Sequence, residues 1–118
     1  METVKRKIMN TVLKNILFVC KGNEQRSPSF EDWTRCYRPQ YNVKSTGTHH
    51  SQHESLSIEL LTWADKVFVM DLEQEIFISV NFPIFINKVK VIGCSDDYGR
   101  NSAEICNVIE YWAKKRKF

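Results

Sequence analysis

The sequence has little of what builds linkers, membrane spans or disulfide scaffolds. Its 118 residues include only 4 glycines and 3 prolines, too few for long flexible linkers or low-complexity segments. No apolar stretch approaches the ~18 residues that a membrane-spanning helix needs. The 4 cysteines, at positions 20, 36, 94 and 106, form no Cys-x-x-Cys pair and show no zinc spacing. With no internal repeat either, the chain is expected to form one compact domain with free thiols.

The chain has enough apolar residues to build a single core. Hydrophobic residues make up 42% of it and charged residues 26%, with a net charge of +3. We divide it into a basic N-terminal extension, residues 1–14, and a single domain, residues 15–118. The extension is either a short amphipathic helix, a disordered arm or the product of an early start codon. It lacks the apolar core of a secretory signal, and its Glu2 is atypical of a transit peptide.

Short apolar runs alternate with segments of helical periodicity along the domain. Such a β-α alternation predicts an α/β fold of three layers, in which helices cover both faces of a parallel sheet. The predicted strands are residues 15–20, 42–46, 66–70 and 89–92. The predicted helices are residues 28–37, 55–63, 72–81 and 102–115.

The most informative segment is Cys20-Lys-Gly-Asn-Glu-Gln-Arg26-Ser-Pro28, which follows a buried apolar strand. Glycine at 22 and asparagine at 23 tolerate the positive φ by which a loop turns its N–H groups inward as an anion nest. Ser27 is a good helix N-cap, and Pro28 suits the first helical position. A helix that starts there directs its positive end at an anion in the loop. The segment therefore predicts a cradle for a phosphate group.

The side chains of this loop predict a phosphate-transferring cysteine. Cys20 is the candidate nucleophile, since a helix N-terminus and a nearby cation stabilise a thiolate. Arg26 is expected to hold two phosphate oxygens through its planar fork. The Ser27 hydroxyl could donate to the sulfur, or only cap the helix. The rest of the expected phosphate site, acting mainly through its backbone, is Lys21, Gly22, Asn23, Glu24 and Gln25. Of these, Glu24 is an unfavourable neighbour for a dianion and is expected to face solvent.

A general acid must protonate the leaving oxygen, and its expected source is the segment Gly93-Cys-Ser-Asp-Asp-Tyr-Gly99. The segment follows a predicted strand, and the carboxyl ends of parallel strands share one rim of the sheet. Asp96 or Asp97 could therefore reach the phosphate, and Tyr98 offers an aromatic wall for a phenyl ring. A plain Asp-rich turn is the alternative interpretation.

The chain resembles the low-molecular-weight protein tyrosine phosphatase family, as a shortened member. Its Cys-x-Gly-Asn-x-x-Arg-Ser-Pro loop matches that of the family, and Ser45-Thr-Gly-Thr48 is similar to the segment after the family's second strand. Residues 64–71 resemble the family's third strand. The resemblance implies a four-stranded sheet of order 2-1-3-4 and catalysis by Cys20, Arg26 and Asp96. It also implies that Ser45 hydrogen-bonds Asn23 and braces the loop.

Three departures from the family pattern bear on function. Asp97 replaces the usual proline, so that either Asp96 or Asp97 could be the acid. Gln25 stands where many relatives have a second cysteine, so a protective disulfide within the loop cannot form. The segment between Thr48 and Trp63 is far shorter than is typical, which removes most of the region opposite the acid loop. The resemblance therefore does not imply a substrate preference.

Three histidines, His49, His50 and His53, lie in the shortened segment. They are not accompanied by a cysteine or a paired carboxylate at ligand spacing. We expect a polar loop near the mouth of the site and no metal.

Together these residues predict a phosphomonoester hydrolase, a cysteine-dependent tyrosine phosphatase that uses a cysteinyl-phosphate intermediate and no cofactor. The expected partner is a phosphorylated protein or a small aryl phosphate, with no nucleic acid and no membrane. A free nucleophilic thiol implies the reducing cytoplasm. One alternative is a thiol-dependent arsenate reductase with Cys94 and Cys106 as the relay pair. The other is a non-catalytic phosphoprotein-binding module.

Overall fold

The structure, a computed structural model, describes residues 14–49, 55–116 and 118. Four strands form one parallel sheet of order β2-β1-β3-β4. Their bounds are β1 (Lys14–Cys20), β2 (Tyr41–Gly47), β3 (Lys66–Val69) and β4 (Val89–Val91). Nearly all of the predicted N-terminal extension, together with His50 and His53, lies outside the described residues.

Helices cover both faces of this sheet. They are α1 (Arg26–Tyr37), α2 (Ile58–Trp63), α3 (Leu72–Asn81) and α4 (Ala103–Lys115). The first and last pack in one apolar cluster, and the two middle helices contribute to the other. The predicted three-layer α/β fold and the strand order 2-1-3-4 are confirmed. No helix within the described ranges is long and apolar enough to cross a bilayer.

The central strand β1 explains why its sequence is a continuous apolar run. Its residues alternate between the two clusters, Ile16 and Phe18 on one face and Leu17 and Val19 on the other, and all four are 0% exposed. The Phe18 ring packs on Phe30 of α1, with 5.3 Å between centroids. A strand held on both faces is a rigid support for whatever follows its last residue.

Three helix starts differ from the prediction, α4 by one residue, since it begins at Ala103 and Ser102 is its N-cap. The first helix begins at Arg26 rather than at Pro28, and the N-cap position is Gln25, whose side chain makes no capping bond. Pro28 still lies in the first turn, where a missing N–H costs no helical hydrogen bond. The second helix begins at Ile58 rather than at 55, because the Ser57 hydroxyl accepts from the Leu60 N–H, at 3.2 Å, and caps the helix there.

A 3₁₀ helix, Pro83–Lys88, was not predicted. It connects α3 to β4. Its last residue reaches back to the second helix, where the Lys88 Nζ donates to the Leu61 and Ala64 carbonyl oxygens at 2.8 and 2.7 Å. These long-range contacts carry no local sequence signal.

The end of β2 lies directly beneath the loop that follows β1. Cys20 and Gly47 are register partners, and a Cβ at Gly47 would lie 2.7 Å from the Lys21 carbonyl oxygen and 3.0 Å from the Asn23 nitrogen. Both are main-chain atoms that cannot swing aside. Only glycine therefore allows the loop to sit this close to the sheet.

We predict that Gly47→Ala lowers the free energy of unfolding by about 2 kcal/mol, because overpacking against fixed atoms costs roughly 1–3 kcal/mol. Urea denaturation measures the change. The matched control is Gly99→Ala, where an added Cβ meets nothing within 4 Å and the expected change is within about 0.5 kcal/mol. Equal effects in the two variants would contradict the close approach at Gly47.

Candidate active site

The loop between β1 and α1 curls around a hollow at the carboxyl end of the sheet. Asn23 adopts φ 54°, which turns the chain back toward the strand end, as predicted. Gly22 was expected to share this conformation but has no positive φ. The hollow has a volume of about 380 Å³ and is lined by Cys20, Lys21, Gly22, Glu24, Gln25, Arg26, His49 and Asp96.

The Cys20 side chain, at the end of β1, is accompanied by two hydrogen-bonding groups of the loop. The Asn23 N–H donates to its Sγ at 3.1 Å, and the Ser27 Oγ lies 2.9 Å from the same atom. A thiol can donate its proton to the Ser27 oxygen, whereas a thiolate must accept the Ser27 proton. In the second arrangement, two donors converge on a negative sulfur. The structure thus provides the surroundings that a nucleophilic thiolate needs.

Ser27 lies in the first turn of α1 and does not cap the helix. Its oxygen lies 2.9 Å from the Asn23 Oδ1 and 3.3 Å from the Thr46 carbonyl oxygen, the acceptors that can take its single proton while the sulfur is still protonated. The expected capping role is therefore wrong, because the helix begins two residues earlier than predicted and its N-cap is Gln25. Of the two functions proposed for Ser27, contact with the sulfur is the one that its position allows.

Ser45 braces the loop through its main chain. The Asn23 Nδ2 donates to the Ser45 carbonyl oxygen at 3.4 Å. The Ser45 hydroxyl instead donates to the Glu31 carboxylate on α1, which also accepts from Arg35. The resemblance implied a bond between Ser45 and Asn23, and the structure shows it as a main-chain contact.

Arg26 is buried, with 6% of its surface exposed, and is anchored on one side. Its Nη1 donates to the Asp71 Oδ2 at 2.8 Å and to the Cys94 carbonyl oxygen at 3.0 Å. Its Nε and Nη2 have no hydrogen-bond partner within the described ranges, and the residue lines the hollow. A guanidinium held in this way can present its remaining donors to an oxyanion.

Asp71 is the member of the site that the sequence analysis missed. It follows β3 directly and caps α3, where its side chain accepts from the Glu73 N–H at 3.0 Å within a capping box. The same carboxylate pairs with Arg26. An acidic residue just after a buried strand, at the rim that carries Cys20, was the available signal.

The two candidate acids are placed differently. Asp96 lines the hollow. Asp97 is held by Ser95. The Asp97 Oδ2 accepts from the Ser95 hydroxyl at 2.9 Å, and the Asp97 main-chain N–H donates to the Ser95 Oγ at 3.2 Å. Tyr98 is half-buried against the apolar cluster of α1 and α4 and does not line the hollow. The geometry therefore favours Asp96 over Asp97 as the general acid. It does not support Tyr98 as an aromatic residue that lines the hollow.

His49 supplies the ring that borders the hollow. The main-chain N–H of His49 donates to the Lys21 carbonyl oxygen at 3.0 Å, which fixes His49 beside the loop. The centroids of the His49 and Phe77 rings are 6.4 Å apart, and Phe77 belongs to α3. The predicted polar segment near the mouth is thus represented by His49. Within the described ranges no group of histidines, cysteines and carboxylates is placed to hold a metal ion.

Cys94 lies beside the site but is a poor nucleophile. Burial raises the pKa of its thiol from 9.0 to about 11, although the nearby Arg26 works in the opposite direction. Its Sγ contacts the Ser95 carbonyl oxygen, while Cys106 contacts that of Asn101. All four cysteines are free. Within the described residues, the Cys94 and Cys106 sulfurs contact different carbonyl oxygens and form no disulfide.

No protein-family model and no curated protein matches this sequence. Solved structures do match it. The chain superposes on the YwlE arginine phosphatase from Geobacillus stearothermophilus with a TM-score of 0.71 and 24% identity, over 88% of this chain and 93% of that one. The tyrosine phosphatase Wzb from Escherichia coli K30, in complex with phosphate, gives 0.72 and 21%, over 88% and 96%. The Erwinia amylovora tyrosine phosphatase amsI gives 0.71 and 20%, over 87% and 90%.

The chain has the low-molecular-weight tyrosine phosphatase fold. Because the matches cover nearly the whole of each solved chain, the shortened segment after Thr48 leaves the architecture intact. At these identities the likeness assigns the fold and leaves the reaction to be argued from the site.

We predict that Asp71→Asn lowers the free energy of unfolding by about 1–2 kcal/mol, because it leaves a buried guanidinium without its counter-charge. Asparagine is as good an N-cap as aspartate, so the start of α3 is preserved. Added inorganic phosphate should restore stability more strongly in the variant than in the native protein, since the anion replaces the lost charge. Thermal unfolding with and without phosphate measures both effects.

The control for this variant is Asp32→Asn, which removes an exposed ion pair with Arg100. Exposed pairs contribute about 0–1 kcal/mol, so little change is expected there. If Asp71→Asn were as stable as the native protein without phosphate, Asp71 would not hold Arg26.

Proposed function

We propose that this protein is a cysteine-dependent phosphomonoester hydrolase that acts on phosphotyrosine through a cysteinyl-phosphate intermediate. The observation that supports the proposal most is the convergence of the Asn23 N–H and the Ser27 hydroxyl on the Cys20 Sγ, at 3.1 and 2.9 Å. Arg26 and Asp96 line the same hollow. These are the parts that phosphate transfer to a thiolate requires.

In the first step, the Cys20 sulfur attacks phosphorus in line with the leaving oxygen. A sulfur–phosphorus bond forms as the phosphorus–oxygen bond breaks, and Asp96 gives its proton to the departing phenolate. Arg26 and the main-chain N–H groups of the loop would stabilise the non-bridging oxygens, which carry the charge of the transition state.

In the second step, Asp96 acts as a base and takes a proton from water, which attacks phosphorus. The sulfur–phosphorus bond breaks, inorganic phosphate leaves, and the thiolate is restored. The Ser27 hydroxyl assists this step, because it can donate to the sulfur as negative charge returns to it.

The choice of phosphotyrosine rests on the shape of the mouth. His49 lines the hollow and its ring lies 6.4 Å from that of Phe77, so the two rings can offer an aromatic surface to a phenyl group. The solved neighbours include both tyrosine and arginine phosphatases, so the fold is compatible with either substrate. The expected substrate is therefore a phosphorylated protein. A catalytic free thiol requires a reducing compartment such as the cytoplasm.

The two alternatives have less support. Arsenate reduction needs a second reactive thiol near Cys20, yet Cys94 is held protonated by a pKa of about 11 and is not joined to Cys106 by a hydrogen bond in the described residues. A pure binding module needs neither Asp96 at the mouth nor a donor at the sulfur.

We predict that Cys20→Ser slows the turnover of p-nitrophenyl phosphate by at least about 1000-fold, because the hydroxyl is a far weaker nucleophile. The matched control is Cys36→Ser, at an exposed thiol on α1, which should keep full activity. Rapid acid quench and mass spectrometry of the native enzyme should find one phosphoryl group on Cys20. Full activity in Cys20→Ser would remove the proposed function.

We predict that Asp96→Asn and Asp97→Asn separate the two carboxylates. In the first turnover, loss of the acid should slow the release of phenol from phenyl phosphate about 100-fold, and the release of nitrophenolate from p-nitrophenyl phosphate much less, because nitrophenolate leaves without a proton. Asp96→Asn should show this difference, and Asp97→Asn should stay within about threefold of the native rate on both substrates. Similar losses in both variants would mean that neither residue is the acid.

A further inference from the structure

The mouth of the hollow carries a carboxylate that the proposed mechanism does not use. Glu24 is exposed and lines the hollow. A Cβ at Gly22 would lie 3.9 Å from the Glu24 Cγ and 4.0 Å from its carboxyl carbon, so the side chain lies over its own loop. Within the described ranges Glu24 makes no hydrogen bond, and the three ion pairs involve other residues.

The charges around the hollow are close to balanced. The cations are Lys21 and Arg26, and Arg26 is already paired with Asp71. The anions are Glu24 and Asp96, in addition to the sulfur when it is ionised. When Asp96 carries the proton that it donates, Glu24 is the carboxylate that remains among the lining side chains. It repels an incoming phosphate dianion, and this repulsion is offset only if the substrate brings a positive charge to it.

We infer that Glu24 selects substrates in which a lysine or arginine lies next to the phosphotyrosine. The inference rests on the proposed function. The phosphate oxygens face Arg26 and the N–H groups of the loop, with Lys21 on the same loop adding to their attraction. The neighbouring cation of the substrate lies against Glu24. An acidic neighbour would meet Glu24 with the wrong sign and could be accommodated only at Lys21.

The net charge of the whole chain predicts the opposite preference, so the two effects can be told apart. At +3, the long-range field of the protein favours acidic peptides over basic ones. A preference for basic peptides therefore opposes the overall field and has to arise from a local carboxylate at the mouth.

The experiment compares three phosphotyrosine peptides of equal length whose flanking residues are both arginine, both glutamine or both glutamate. At low ionic strength the native enzyme should show a kcat/KM about fivefold higher for the basic than for the neutral peptide, and lowest for the acidic one. Glu24→Gln should remove the advantage of the basic peptide, and Glu24→Lys should reverse the order. Half-molar salt should flatten all of these differences.

The matched control is Glu110→Gln. Glu110 is an exposed residue of α4 that does not line the hollow. The variant should retain the native order of the three peptides. An order that survives in Glu24→Gln, or a native enzyme that is indifferent to the flanking residues or prefers acidic ones, would overturn the inference while leaving the phosphatase proposal intact. Absence of any Cys20-dependent turnover of p-nitrophenyl phosphate would overturn both.

Discussion

The site depends on one buried cation and the groups that hold it. Arg26 begins α1, Asp71 follows β3, and the Cys94 carbonyl belongs to the loop after β4. A guanidinium that is 6% exposed must be paired and hydrogen-bonded to be tolerated. Meeting that requirement brings the loops after three strands to one point. It also leaves the free side of the guanidinium turned to the hollow.

The nucleophile is positioned by the most rigid part of the fold. Cys20 ends the central strand β1, whose residues pack in both apolar clusters. The loop that follows rests on Gly47 of β2 and is tied to Ser45 through Asn23. Since Gly47 and the Ser45 carbonyl are main-chain supports, the donors around the sulfur are arranged before a substrate arrives, which lowers the cost of reorganisation during the reaction.

Particular residues show where local reasoning succeeded and where it failed. Asn23 was expected to take a positive φ and does, because few side chains tolerate that region. Ser27 was expected to cap a helix, but the helix begins earlier and its hydroxyl turns to Cys20 and Asn23. Spacing could not tell Asp97 from Asp96 as the acid, and it could not show that Tyr98 lies outside the lining of the hollow. Their separation depends on Ser95 and on the apolar cluster that receives the tyrosine ring.

The α/β class, the alternation of strands and helices, and the loop that carries Cys20 and Arg26 could all be predicted from the sequence. These follow from hydrophobic periodicity and from residue types with strong backbone preferences, both of which are local. The fold was needed to show that Asp71 anchors Arg26, that Gly47 must lack a side chain, that Asp96 lines the hollow, and that Glu24 lies at its mouth with no partner among the described residues. Each of these is a contact between distant parts of the chain or a side-chain direction, and residue spacing carries no information about either.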